Sequence, residues 1–224
     1  MRALLDLILP TSCAGCGRPV TIACPDCSRP LLAEPALAWP RPSPPGLPPP
    51  FAVAAYDGSV RRFLLAFKEE GAFALARPLG RALARATVMA IGSRAEVRLV
   101  PVPSSLPARR ERGDDVVRRL AVAAARDLRS VGVDAAVVAA LRHTRRVRDS
   151  TGLTAVERAQ NLAAAFSVTS PARVARLVDR PVILVDDLVT TGATLAECAL
   201  ALRRSGIEPL ACATIAATRR RMSD

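Results

Sequence analysis

The sequence is almost devoid of lysine, histidine and large aromatic residues. Lys68 and His143 are the only residues of their kinds, and tryptophan and tyrosine occur once each among 224 residues. Seven aromatic side chains are few for a protein that stacks on the bases of a nucleic-acid strand. Because 31 of the 32 basic residues are arginine, the net charge of +12 fits the codon bias of a GC-rich genome as well as nucleic-acid binding.

Long hydrophobic runs are also missing. A membrane-spanning helix needs about 20 apolar residues, whereas the apolar runs here have the length of strands and are broken by charge or proline. The first ten residues are interpreted as a short amphipathic helix ended by Pro10, too short for a secretion signal. We therefore expect a cytoplasmic protein without a membrane span. Half of the residues are hydrophobic, which excludes disorder throughout the chain.

Four of the six cysteines lie within fifteen residues and form two Cys-x-x-Cys pairs, Cys13 with Cys16 and Cys24 with Cys27. Two such pairs at this spacing are typical of a structural Zn²⁺ site with four thiolate ligands. Two disulfides are disfavoured because no export signal is visible, and a redox motif because no strand-to-helix junction is present. Metal binding would supply most of the folding energy of so small a segment.

The composition divides the chain into three parts. Residues 1–34 are the four-cysteine module, and residues 35–50, with eight prolines, are interpreted as a stiff linker. Residues 51–224 alternate between strand-like and helix-like patterns, which predicts an α/β fold with a mostly parallel sheet and helices on both faces. Trp39 lies in the linker, where we expect it to anchor the segment on a neighbour rather than to stack on a base.

Apolar periodicity and turn residues predict the individual elements. Strands are expected at 51–56, 97–102, 135–141, 166–168, 182–185 and 210–217, and helices at 59–68, 72–91, 115–131, 155–164 and 193–205. The segment 142–154 is expected to be an arginine-rich loop. Cys198 and Cys212 fall in apolar surroundings and are expected in the core.

The most informative segment follows the apolar strand 182–185. Asp186 and Asp187 come directly after the strand, and a turn rich in hydroxyl groups opens the next helix. Ligands bind at the carboxyl edge of parallel sheets, and amides at a helix N-terminus favour an anion such as phosphate. We expect the aspartates to hold a sugar diol and the turn to hold its 5′-phosphate. The turn residues are Thr190, Thr191, Gly192, Ala193 and Thr194.

Segment 182–194 resembles the phosphoribosyl-pyrophosphate (PRPP) binding motif of type I phosphoribosyltransferases. Further segments extend the likeness over nearly the whole chain. Together, and in the order in which they occur, the segments resemble the ComF family of competence proteins, also described as GntX-like. The resemblance implies a type I phosphoribosyltransferase fold, with a hood beside the sheet. Its segments are the four-cysteine module, Phe67-Lys68 with Gly71, Leu99-Val-Pro-Val-Pro103, Arg112-Gly113, Arg158 with Asn161, and Ala165-Phe166.

This resemblance implies a transferase that moves a phosphoribosyl group from PRPP, with Mg²⁺, to an acceptor that the sequence does not identify. The acceptor is nucleobase-like or absent. A loop of Pro103, Ser104, Ser105 and Arg109 would receive the pyrophosphate. A lid would bring arginines to the phosphates, with Lys68 either a further phosphate contact or simply solvated. The lid residues are Arg142, Arg145, Arg146 and Arg148. His143, in the same loop, is a surface or phosphate-proximal residue or a general base.

Two further hypotheses remain. The family name implies a non-catalytic protein that handles single-stranded DNA beside the DNA-uptake machinery, and the net charge, zinc module and arginine loops favour it. Alternatively, the fold binds PRPP as a signal without catalysis. One segment departs from the family pattern, because many members carry Arg-Gly-Phe-Asn-Gln where this chain has Arg112-Gly113-Asp114-Asp115-Val116. The sequence leaves the oligomeric state open.

Overall fold

The computed structural model describes residues 12–19, 21–104, 115–144 and 165–218. The helices are α1 (Pro25–Ser28), α2 (Gly58–Glu69), α3 (Ala76–Ile91), α4 (Val116–Ser130), α5 (Pro171–Ala175) and α6 (Ala193–Arg203). Short 3₁₀ turns cover Arg29–Leu32 and Phe73–Leu75. The strands are β1 (Ala36–Leu37), β2 (Pro50–Ala55), β3 (Glu96–Pro101), β4 (Asp134–Val137), β5 (Leu141–His143), β6 (Phe166–Val168), β7 (Val182–Val185), β8 (Leu188–Val189) and β9 (Ala211–Ala217).

The central sheet has the strand order β1-β2-β9-β7-β3-β4, and β8 also pairs with β9. All of its pairs are parallel except the edge pair of β1 with β2. β8 continues the line of β7, since Val185 pairs with Ala213 and Leu188 with Ala216 at the same offset. The predicted α/β class with a mostly parallel sheet is therefore confirmed, and two aspartates interrupt one of its central strands.

Successive residues of the central strands enter two separate cores. Ile183 and Val185 of β7 pack on the face that carries α2, α3 and α4, whereas Val182 and Leu184 pack on the face that carries α6. Side chains alternate between the faces of a strand. Asp186 and Asp187 follow Val185 directly, and their side chains lie close enough together to hydrogen-bond with each other.

The predicted linker packs against α6. Leu47 is buried in the same core as α6, and Arg203 near the end of that helix donates to the carbonyl oxygen of Gly46 (2.6 Å). At the other end of the helix, a Cβ on Gly192 would lie 2.8 Å from Leu47 Cδ2 and 3.1 Å from Pro40 Cγ. The proline-rich segment thus has a defined place, and part of it forms the edge strand β1.

Several element predictions differ from the structure. The predicted strand 135–141 is divided, with β4 ending at Val137 and a new strand beginning at Leu141. That new strand, β5, occupies the start of the segment interpreted as a loop, because its backbone pairs with β6, as between His143 and Phe166. The predicted helix 72–91 begins as a 3₁₀ turn.

Two predictions lie outside the described residues, namely the N-terminal helix and the helix 155–164. Among the residues that the structure describes, no helix has the length and apolar character needed to cross a membrane.

Candidate functional site

Segments that the sequence analysis assigned to one site meet at the carboxyl edge of the sheet. β3 lies beside β7, with Pro101 paired with Val185, and Val102 N–H donates to the carbonyl oxygen of Val185 (2.9 Å). The predicted pyrophosphate loop therefore leaves β3 next to the point where Asp186 and Asp187 follow β7. The order of the parallel strands places these segments side by side.

Asp187 is a nearly buried carboxylate with a lysine beside it. Lys68 Nζ lies 2.5 Å from Asp187 Oδ2, and the side chains are 31% and 5% exposed, respectively. Lys68 occupies the last turn of α2, which Phe63 and Phe67 fix in the core. The only lysine of the chain is thus held against the predicted ribose-binding pair, and the interpretation of Lys68 as a solvated residue is wrong.

Asp186 lies in a different environment from its neighbour. Its Oδ1 accepts a hydrogen bond from the backbone N–H of Asp187 (2.9 Å), and its side chain is half-buried. Burial, and then the charge of Asp187, raise the pKa of the Asp186 carboxyl well above its usual range. Adjacent carboxylates with such different surroundings are typical of functional sites.

The turn that precedes α6 is open to ligands at its hydroxyl groups. Thr190, Thr191 and Thr194 are exposed, whereas Gly192 is buried beneath the proline-rich segment. Gly192 has a φ of +74°, a conformation that glycine adopts without strain, and its carbonyl oxygen accepts the first helical bond from Ala196 N–H (2.9 Å). A glycine is required here both by the left-handed backbone and by the close approach of Leu47.

The predicted pyrophosphate loop is anchored from two sides. His143 Nε2 lies 2.9 Å from the carbonyl oxygen of Pro103, and its ring packs on Phe166 at a centroid distance of 4.6 Å. Ser104 Oγ donates to Asp115 Oδ1 (3.1 Å). His143 therefore supports the backbone of the pyrophosphate loop. The structure places His143 at the end of strand β5, so the prediction that His143 lies in the arginine-rich loop 142–154 is wrong.

Asp115 caps α4 as well as holding Ser104. Its side chain accepts a hydrogen bond from the backbone N–H of Arg118 (3.2 Å), as an N-cap residue does. An aspartate directly before an amphipathic helix is a signal for such a cap that the sequence analysis missed. Asparagine, which the family pattern has at this position, caps helices equally well.

Not every predicted site residue can be placed. Arg142 is exposed within β5, where its backbone pairs with Ser167. Five others lie outside the described residues, so the lid and the outer part of the pyrophosphate loop stay predictions. These are Ser105, Arg109, Arg145 and the pair Arg146 and Arg148.

The four cysteines of the N-terminal pairs come together as a cluster. One ligand atom from each of Cys13, Cys16, Cys24 and Cys27 lies within 4.8 Å of all the others, so the cluster could hold a metal ion. The Sγ atoms of Cys16 and Cys24 are 3.7 Å apart. A tetrahedral ion with metal–sulfur bonds of about 2.3 Å separates its ligands by about 3.8 Å, so these sulfurs fit structural zinc.

Electrostatics of the cluster also favour a cation. Burial raises the pKa of the Cys13 thiol, but hydrogen bonds from the amides of Cys24, Gly15 and Cys16 outweigh burial and lower the pKa to about 6. Burial and hydrogen bonding with the neighbouring thiols raise the pKa of Cys27 to about 12. Four thiolates in so small a space need an added positive charge, which a bound metal ion supplies.

The cluster is joined directly to α2. Ser59 Oγ at the start of that helix donates to the carbonyl oxygen of Cys27 (2.8 Å). A Cβ on Gly15 would lie 2.7 Å from Cys27 Sγ and 3.1 Å from Phe63 Cε1. Gly15 is therefore required where the segment from Cys13 to Cys16 passes between the cluster and the core.

Comparison with known proteins adds no assignment. The sequence matches no protein-family model and no curated protein. The ComF resemblance thus stays a prediction based on the motifs.

Replacing Lys68 tests the buried ion pair. We expect Lys68→Met to lower the free energy of unfolding by about 1–3 kcal/mol, because the Asp187 carboxylate loses its cation while it stays buried. Adding Asp187→Asn to Lys68→Met should restore part of that loss. Urea denaturation measures the free energy of unfolding of the two single variants and of the double variant. The exposed pair of Arg81 with Asp127 serves as the control, since Arg81→Met should cost less than about 1 kcal/mol. If the double variant loses as much stability as the two single variants together, Lys68 and Asp187 do not stabilise each other.

Asp186 gives a pH-dependent prediction. Its folded pKa is raised above the unfolded value of about 3.9, so ionisation opposes folding and stability is lost as the pH rises between those two values. Asparagine does not ionise and still accepts the bond from Asp187 N–H. We expect Asp186→Asn to be more stable than the wild type at pH 8, with a difference that shrinks towards pH 4. Urea denaturation across that range measures the difference, and a difference independent of pH would contradict the assignment.

Proposed function

We propose that this chain binds PRPP and has the type I phosphoribosyltransferase fold and the activity of a ComF-like phosphoribosyltransferase. One observation carries the proposal: a buried parallel strand ends at Val185, Asp186 and Asp187 follow it, and two residues later a glycine-containing turn opens α6. Sugar diols are bound well by carboxylate oxygens, and phosphates by helix N-termini. The spacing of the two features suits a ribose 5-phosphate.

Each described group has a role in this proposal. The carboxylates of Asp186 and Asp187 would accept hydrogen bonds from the ribose hydroxyls, and the turn 190–194 would donate amide and hydroxyl hydrogens to the 5′-phosphate. The backbone at Pro103 and Ser104, held by His143 and Asp115, would face the pyrophosphate. Lys68 would hold its ammonium group beside Asp187 in the free protein and would stay near the substrate's negative charge.

The reaction would be a displacement at C1 of the ribose. A nucleophilic atom of the acceptor forms a bond to C1 while the bond from C1 to the pyrophosphate oxygen breaks, and the pyrophosphate leaves with the bonding electrons. Binding both reactants in one orientation and neutralising the leaving group would be the main contributions of the protein. The described residues would position the ribose, and they hold the inner part of the loop that would receive the pyrophosphate.

Mg²⁺ would enter as part of the substrate. The Asp186–Asp187 pair already has the ammonium group of Lys68 beside it, and the Asp186 carboxyl has a raised pKa. Both features reduce the demand of the pair for a resident divalent cation. We therefore assign Mg²⁺ to the pyrophosphate of PRPP rather than to a site formed by the protein alone.

Single-stranded DNA is a weaker candidate ligand. Binding of nucleic acid needs arginines that can face phosphates, whereas many described arginines pair with acidic side chains. The pairs include Arg18 and Arg29 with Asp26, Arg85 with Glu34, Arg98 with Asp134, and Arg203 with Glu208. The charge of +12 therefore supports an anionic small molecule at least as well as DNA.

We assign Zn²⁺ to the four-cysteine cluster. Its role would be structural, because four thiolate ligands leave no open coordination position. The spacing of the four sulfur atoms supports this assignment.

PRPP binding is tested by thermal denaturation with and without PRPP and Mg²⁺. PRPP at 100 times its Kd should stabilise the wild type by about 2.7 kcal/mol, a rise in Tm of several degrees. Asp186→Asn should bind PRPP at least about tenfold more weakly, because a charge-assisted hydrogen bond to the diol is lost.

Asp179→Asn is the matched control. It makes the same change at an exposed aspartate with a φ of 56°, a conformation that asparagine also adopts. Its response to PRPP should equal that of the wild type. An unchanged Tm of the wild type with PRPP, or an undiminished response of Asp186→Asn, would refute the proposed site.

Metal analysis tests the zinc assignment. The purified chain should contain about one zinc ion per molecule, and Gly15→Ala should lower this content because the added methyl group collides with Cys27 Sγ. Cys212→Ala, which changes a buried cysteine outside the cluster, should retain the metal. A metal-free wild type, or full metal content in Gly15→Ala, would contradict the assignment.

A further inference from the structure

The backbone just after β3 is held from both sides of that strand. On the β7 side, Val102 N–H donates to the carbonyl oxygen of Val185 (2.9 Å). β4 lies on the other side of β3, and β5 follows β4 in the chain. His143 of β5 places its Nε2 2.9 Å from the carbonyl oxygen of Pro103. The carbonyl of Pro103 is therefore bound by a residue that does not belong to the predicted pyrophosphate loop.

This contact also sets the direction of the next amide. The peptide bond between Pro103 and Ser104 is trans, and the C=O and N–H groups of a planar trans peptide point in opposite directions. The Ser104 N–H is thus directed away from His143, and it has no hydrogen-bond partner in the part of the chain that the structure describes. Because the Ser104 hydroxyl already donates to Asp115, the amide is the donor that this residue retains for a ligand.

The imidazole of His143 is suited to hold a peptide and not to take up a proton at Nε2. A carbonyl oxygen only accepts hydrogen bonds, so Nε2 must carry the proton of this contact. The ring packs on Phe166 at a centroid distance of 4.6 Å, and the two residues are paired in the ladder of β5 with β6. Packing and strand pairing therefore fix the donor before any ligand binds.

We infer that His143 is a positioning residue for the pyrophosphate of PRPP, which holds the peptide 103–104 so that Ser104 N–H donates to a pyrophosphate oxygen. This inference rests on the proposed function, which assigns the loop to pyrophosphate. It assigns the binding of the leaving group to a side chain that does not touch it. A donor oriented in advance needs no reorganisation while negative charge develops on the leaving pyrophosphate.

The test compares three probes in the presence of Mg²⁺: PRPP, inorganic pyrophosphate and ribose 5-phosphate. Calorimetry measures their affinities for the wild type and for His143→Leu, which keeps an apolar side chain against Phe166 but has no donor. We expect PRPP and pyrophosphate to bind the variant about tenfold more weakly, the loss of one hydrogen bond to a charged group. Ribose 5-phosphate should bind as it does to the wild type, which also shows that the variant is folded.

Two matched variants isolate the hydrogen bond. His143→Gln offers an N–H donor on its side-chain amide but cannot act as a base, and it should keep the PRPP affinity within about threefold of the wild type. Ser167→Ala changes the neighbour of Phe166 in β6. The Ser167 hydroxyl is buried without a hydrogen-bond partner among the described residues, so its removal should leave the PRPP affinity unchanged.

The outcomes separate this inference from the proposed function. An undiminished affinity of His143→Leu for PRPP, or an equal loss for PRPP and ribose 5-phosphate, would overturn the positioning role and leave the PRPP site standing. A His143→Gln variant as weak as His143→Leu would overturn it too, because the ring would then act as a base or as a charge. A wild type that binds neither PRPP nor ribose 5-phosphate would refute the proposed function itself.

Discussion

A carboxylate buried in a protein needs a positive charge beside it, and the contact of Asp187 with Lys68 meets this need. The contact joins α2 to the end of the central strand β7, and it holds one charge of the proposed ribose site in place before any ligand arrives. At the neighbouring Asp186, burial and the charge of Asp187 raise the pKa of the carboxyl, although the charge of Lys68 acts in the opposite direction. The two carboxyl groups therefore lie in different surroundings although they are adjacent in sequence.

The position of Lys68 depends in turn on the four-cysteine cluster. Ser59 binds the carbonyl oxygen of Cys27 at the start of α2, and Phe63 packs beneath Gly15 one turn later. Lys68 follows nine residues after Ser59, about 13 Å along the helix. A metal ion that orders the cluster would thus also fix the helix that presents Lys68. The cluster, although remote from the chemistry, supports the proposed site through one rigid element.

Features with a local physical cause could be predicted from the sequence. The apolar run 182–185 specifies a buried strand whichever strands pair with it. The aspartates after this run and the glycine of the turn specify a site at the edge of the sheet. Contacts between distant segments could not be predicted in this way. Lys68 reaches Asp187 across 119 positions, and Pro40 reaches Gly192 across 152, because packing of helices and of the proline-rich segment on the sheet decides those contacts. His143 was assigned to a loop because the pairing of β5 with β6 is likewise non-local.

Phosphorus NMR of PRPP tests most directly whether the phosphate turn binds PRPP, because the 5′-phosphate and the pyrophosphate give separate resonances. A phosphate turn at 190–194 predicts that wild-type protein shifts or broadens the 5′-phosphate resonance, and that Thr191→Val weakens this effect. The pyrophosphate resonances should respond as well, because the loop at Pro103 and Ser104 lies beside the aspartates. A PRPP spectrum that stays unchanged when equimolar protein is added would contradict a phosphoribosyl site at this sheet edge.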